Sequence, residues 1–144
     1  MAQEEALPVL PRLARGAHRL ARAHGDWQTP PAELLAGIRG AVLLYPYCGA
    51  LNGAARTGWA AAPPALMILG GQDSIVSTPD CRRMAERLTG QGARISVAEI
   101  PEADHGFDQR EKSFLSSLVF DAGLRGRARE EVGAFLSGLP APGR

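Results

Sequence analysis

Residues 65–108 read ALMILGGQDSIVSTPDCRRMAERLTGQGARISVAEIPEADHGFD, and this stretch decides the fold. Ala65–Leu69 is a continuous apolar run stopped by Gly70-Gly71, with Asp73 three residues past the run's glycine stop. Ile95–Ile100 (ISVAEI) reads as a second strand, stopped by Pro101 and followed by Asp104-His105-Gly106-Phe107. Short apolar runs bounded by Gly and Pro predict buried strands. Between them, Cys81, Met84, Ala85 and Leu88 recur at helical spacing, and Ser77 or Thr78 can cap a helix that starts near Pro79 and stops at Gly90 and Gly92. A strand–helix–strand unit of this kind pairs its strands in parallel, which brings the two following loops to the same edge of the sheet. An acid after one strand and a histidine after the next can then meet. The carboxylate accepts from one imidazole nitrogen and steadies the imidazolium when the other takes a proton.

Working outward, Ala41–Tyr45 (AVLLY) is a further apolar run, ended by Pro46, and predicts another parallel strand buried on both faces. Residues 47–64 carry Gly49, Gly53, Gly58 and Pro63-Pro64 and predict a loop, with Trp59 as its anchor. Upstream, Leu10, Leu13, Ala14, Ala17, Leu20 and Ala21 predict an amphipathic helix over Val9–His24, whose other face holds Arg12, Arg15, His18, Arg19 and Arg22. That basic face reads as an ordinary solvated surface. Ala32–Ile38 predicts a short helical lead-in. Downstream, Phe114, Leu115, Leu118, Val119 and Phe120 form an apolar patch, and a last helix is predicted over roughly Arg127–Leu136. The expected organisation is a helical leader over 1–40, an α/β domain over 41–138 and a tail over 139–144. Three strands make a thin sheet with two edges to cover or pair.

Composition narrows the function classes. A chain of 144 residues that is 45% hydrophobic is sized for one core. Its net charge of +1 gives no field of the kind that draws nucleic acid or anionic membranes. No apolar run approaches the ~20 residues of a membrane span. Cys48 and Cys81 lie on different segments without metal-ligand spacing, which predicts unpaired apolar filler in a reducing cytosol, so the expected location is cytoplasmic. The chemistry implies neither a cofactor nor a metal.

Three segments together resemble the carboxyl-terminal part of the dienelactone hydrolase family: Tyr45-Pro46-Tyr47-Cys48, Ala65–Gly70 with Asp73, and Ala103-Asp104-His105-Gly106-Phe107-Asp108. The resemblance implies an α/β-hydrolase fold, here a partial parallel sheet of about three strands with flanking helices. It also implies hydrolysis of a small-molecule ester or lactone, with Asp73 as triad acid and His105 as triad base. Family members carry their nucleophile on a G-x-S-x-G or G-x-C-x-G elbow before the acid. No such motif precedes Asp73, and the first forty residues contain no serine. Cys48 follows a strand and is the one alternative nucleophile on the correct edge. Ser74 and Ser77 read as capping residues of the following helix. The expectation is a chain that retains the acid and histidine and is truncated or inactive alone, with a complementing chain or self-association supplying the rest. The competing expectation is a non-catalytic remnant or interaction module that pairs through an exposed sheet edge.

Overall fold

The structure, a computed structural model, describes residues 35, 37–59, 62–111 and 116–140. The expected helices over 9–24 and 32–38, most of the leader and part of the 114–120 patch lie outside or largely outside those residues.

Three strands, β1 (Ala41–Leu44), β2 (Ala65–Gly70) and β3 (Ile95–Ile100), form one sheet in that order. Both pairings are parallel, with Ala41 opposite Ala65 and Ala65 opposite Ile95. Helix α1 (Ala54–Thr57) is a single turn inside the β1–β2 connection, which the breakers there do not predict. Helix α2 (Thr78–Gly90) joins β2 to β3, and α3 (Ala122–Ser137) follows the histidine loop.

The strands differ in burial because of their place in the sheet. β2 is central, and all six of its residues are buried. Its alternation divides the core in two. Met67 and Leu69 face α2 and pack with Cys81, Met84, Ala85 and Leu88. Leu66 and Ile68 face α3 and pack with Ile100, Phe107 and Ala128. The result is a helix–sheet–helix sandwich. The expectation that β1 and β3 are also buried is corrected here: both are edge strands among the described residues. β1 is half-buried throughout, and β3 leaves Val97 42% exposed. On the face that meets α2, Glu99 of β3 accepts two hydrogen bonds of 2.7 Å from Arg82.

The helix ends follow capping chemistry. Ser77 Oγ accepts from the Asp80 N–H at 3.3 Å, and Pro79 occupies the first turn, as the sequence predicts. α3 begins five residues before the predicted start. Asp121 caps it by accepting from the Leu124 N–H at 2.9 Å, and Gly123 and Gly126 are carried within the helix. The Asp121 N–H donates to the Phe107 carbonyl at 2.8 Å, so the helix start is fastened to the histidine loop. Trp59 does anchor its loop: it packs on the α2-side core and donates from Nε1 to the Pro63 carbonyl at 3.1 Å.

The two cysteines are a correction. Cys48 and Cys81 form a disulfide with Cα atoms 5.0 Å apart, so neither is unpaired filler and no described cysteine is free. Their separation of 33 residues hides the pairing in the sequence. In space, one follows β1 and the other begins the helix after β2. Adjacent parallel strands bring those two points together.

Candidate active site

The acid turn starts where β2 ends. Gly70 and Gly71 are there because the histidine loop lies against them: a Cβ on Gly70 would sit 2.5 Å from the Ala103 carbonyl oxygen, and one on Gly71 would sit 2.5 Å from that of Pro101. The close approach lets the two loops share backbone hydrogen bonds. The Gly71 N–H donates to Ile100 at 2.9 Å, and the Gln72 N–H donates to Ala103 at 3.0 Å. Thr78 Oγ1, buried at the start of α2, donates to the Gly70 carbonyl.

Asp73 emerges from this joint with its side chain fully buried. Its Oδ1 accepts from the Ile75 and Val76 N–H groups at 2.9 and 2.8 Å, which closes an Asx turn. Oδ2 lies 3.0 Å from His105 Nδ1. The carboxylate therefore shapes its own loop and meets the imidazole. His105 keeps 20% of its side chain exposed, and no described residue hydrogen-bonds its Nε2. A proton on Nδ1 shared with Asp73 leaves the Nε2 lone pair free to act as a base.

The loop that carries His105 is held by its neighbours. Asp104 Oδ1 accepts from the Ser74 N–H at 2.7 Å, the Ser74 hydroxyl at 2.8 Å and the His105 N–H at 2.6 Å. These donors, the Ser74 N–H foremost, hold the Asp104 carboxyl below its ordinary range. Ser74 is thus a tie between the two loops rather than a cap. Gly106 takes a φ of 69°, a left-handed turn that glycine adopts without cost, and its neighbour Phe107 drops into the core at 1% exposure. Tyr45, at the end of β1, lays its ring 4.7 Å from the His105 ring and donates its hydroxyl to Asp108 Oδ1. Burial pushes the Asp108 carboxyl up, against the opposing effects of its own backbone hydrogen bond and Arg125.

A model of the dienelactone hydrolase family matches residues 31–136. The chain belongs to the dienelactone hydrolase family. Its sheet of three parallel strands between helices is part of the α/β-hydrolase fold that this family adopts. No curated protein matches the chain. The structure brings together the two residues of this family member that the sequence singles out, Asp73 and His105. Cys48, the alternative nucleophile, is committed to the disulfide. The contributions of Tyr45, Ser74, Asp104 and Asp108 were missed at the level of sequence. The signal is present for three of them, since Tyr45 sits in the Y-P motif and Asp104 and Asp108 sit in the D-H-G-F-D motif. Among the described residues there is no group of three or more metal-ligating side chains and no helix long and apolar enough to cross a membrane.

Proposed function

We propose that Asp73 and His105 are the acid and base of a nucleophile–acid–histidine triad that hydrolyses carboxylic esters or lactones. The observation that carries this is the 3.0 Å contact between His105 Nδ1 and the buried Asp73 Oδ2, on the edge of a parallel sheet where such sites form. In the reaction, Nε2 takes the proton of a hydroxyl or thiol nucleophile as that group adds to the substrate carbonyl. The imidazolium then returns the proton to the leaving alcohol oxygen, and a water molecule, deprotonated in the same way, releases the acid. Asp73 holds the tautomer and balances the charge through both proton transfers.

The nucleophile is the part that these 144 residues do not offer. They contain no G-x-S-x-G or G-x-C-x-G, and Cys48 is bridged. Ser74 is turned to Asp104. The proposal is therefore that the chain by itself turns over no ester and acts with a complementing segment or chain that carries the elbow. Within this reading, residues 41–138 are the acid-and-histidine part of the domain, 1–40 a helical leader and 139–144 a tail. A cytoplasmic location stays part of the proposal, although the disulfide removes the support that unpaired cysteines would have lent it.

The test is hydrolysis of p-nitrophenyl acetate by the full chain, alone and mixed with a strand–elbow–helix segment from another dienelactone hydrolase. Turnover is expected only in the mixture, and Asp73→Ala and His105→Ala should each abolish it. Turnover that survives either substitution would sink the assignment. A second reading, a non-catalytic module that pairs through a sheet edge, is favoured by β1: its four apolar residues are only half-buried, and no described strand pairs with its outer side. Light scattering that finds a monomer at all concentrations would count against pairing with itself.

A further inference from the structure

We propose that Tyr45 is a positioning residue for His105, a ring latched to Asp108 that fixes the plane in which the imidazole meets Asp73. This inference rests on the acid–base pair proposed above and extends it to a residue outside the triad.

The backbone gives the first indication. Tyr45 has a φ of 38° and is the only non-glycine residue with a positive φ among those described. A bulky side chain rarely takes this conformation, and the residue before a proline is ordinarily driven to an extended one. Tyr45 precedes Pro46 and so departs from both preferences. Such a conformation persists only where the surroundings over-determine it. Here they do so from both sides. The Tyr45 N–H still completes the β1 ladder by donating to the Ile68 carbonyl at 2.9 Å. Three residues further on, the Cys48–Cys81 bridge fastens the chain to α2. The turn between these two fixed points throws the Tyr45 ring toward the histidine loop.

The ring makes three contacts there. Its centroid is 4.7 Å from that of His105, tilted at 49°. It meets Phe107 edge-on, at 5.5 Å and 83°. Its hydroxyl donates to Asp108 Oδ1, on the same loop as the histidine. The geometric need for such a wall follows from the acid contact. Asp73 grips the imidazole at Nδ1 alone, which leaves the ring free to swing about that direction and carry Nε2 off its target. An aromatic face against the imidazole removes the swing, and the hydroxyl latch keeps the face in place.

The test reads the imidazole rather than hydrolysis. In the full chain labelled with 15N-histidine, the His105 signals are assigned by their loss in His105→Ala. The unmodified chain should show a downfield Nδ1–H proton and unequal nitrogen shifts that mark one tautomer. Tyr45→Leu should speed exchange of that proton with water by about two- to tenfold, the weight of one aromatic contact. It should also move the nitrogen shifts toward the average. Tyr45→Phe and Asp108→Ala each keep the ring and remove the latch, so both should speed exchange by a smaller and mutually equal factor. Should Tyr45→Leu fail to fold, these two decide the matter. Wild-type exchange in Tyr45→Leu, or in both latch variants, overturns the positioning role. An averaged tautomer in the unmodified chain would instead refute the Asp73–His105 pair itself, so the two failures are distinguishable.

Discussion

Gly70→Ala tests whether the site depends on how closely two loops touch. The added Cβ would lie 2.5 Å from the Ala103 carbonyl oxygen and 3.2 Å from its carbon, both backbone atoms that no rotamer change can move. Restoring an ordinary contact of 3.4 Å requires the histidine loop to withdraw by about 0.9 Å. The Gln72–Ala103 hydrogen bond of 3.0 Å lies across the same gap, and His105 follows Ala103 by two residues. A withdrawal of that size takes the Nδ1–Oδ2 contact from 3.0 Å to about 3.9 Å, beyond hydrogen-bonding distance. Overpacking of this kind costs about 1–3 kcal/mol. A strain-free Gly-to-Ala change would stabilise the chain by about 0.4–1 kcal/mol, so the sign of the effect is itself informative. Urea unfolding followed by circular dichroism gives the stability change, and the His105 Nδ1–H signal reports the contact. An unchanged or higher urea midpoint with the Nδ1–H signal intact would refute the close-approach account.

Phe107→Ala removes the largest fully buried side chain, in the α3-side core, and should cost about 3–5 kcal/mol in the same urea assay. Opening the bridge with dithiothreitol, or replacing Cys48 and Cys81 together by serine, frees a loop of 33 residues and should cost about 4 kcal/mol by loop-closure entropy. An unchanged midpoint after reduction, with free thiols verified, would contradict this. The pH dependence should carry the mark of Asp104, whose folded carboxyl is held low by the Ser74 and His105 donors. Its stabilisation is present above the ordinary aspartate pKa and is lost as the pH falls through the lower folded value. Asp104→Asn should therefore flatten the acid limb of the stability profile. Asp108 has the opposite sign: burial raises its pKa, so its contribution fades as the pH rises through the folded value. Asp108→Asn should leave the acid limb steep.

Much of this architecture was legible because local chemistry and global position agree. The apolar run at Ala65–Leu69 is a strand in any context, and as the central strand it is also the most buried. The acid and histidine follow their strands directly, so parallel pairing alone was enough to bring them together. What could not be read depended on partners far along the chain. Ile95–Ile100 carries Ser96 and Glu99 among its apolar residues, but it is the place at the sheet edge that leaves the apolar Val97 in solvent. The cysteine bridge depends on where the loop after β1 meets the first turns of α2, which no spacing rule encodes. Tyr45 reads as the last residue of a strand. Its backbone turn becomes visible only once His105, Phe107 and Asp108 are seen around its ring.

The divided loyalty of Asp73 has a practical consequence. Oδ1 is held by the turn and lies 3.2 Å from Nδ1, while Oδ2 meets the imidazole at 3.0 Å, so an amide in its place can satisfy the turn while reversing the polarity of the nearer contact. In Asp73→Asn the carbonyl oxygen can still accept from Ile75 and Val76, and the NH2 group then points at Nδ1. Nδ1 must become the acceptor, which moves the ring proton to Nε2, where a nucleophile would need a lone pair. The substitution should leave the loop's shape intact and install the wrong proton. Anyone rebuilding a working enzyme around this chain would have in it a control whose silence reports proton placement and not collapse.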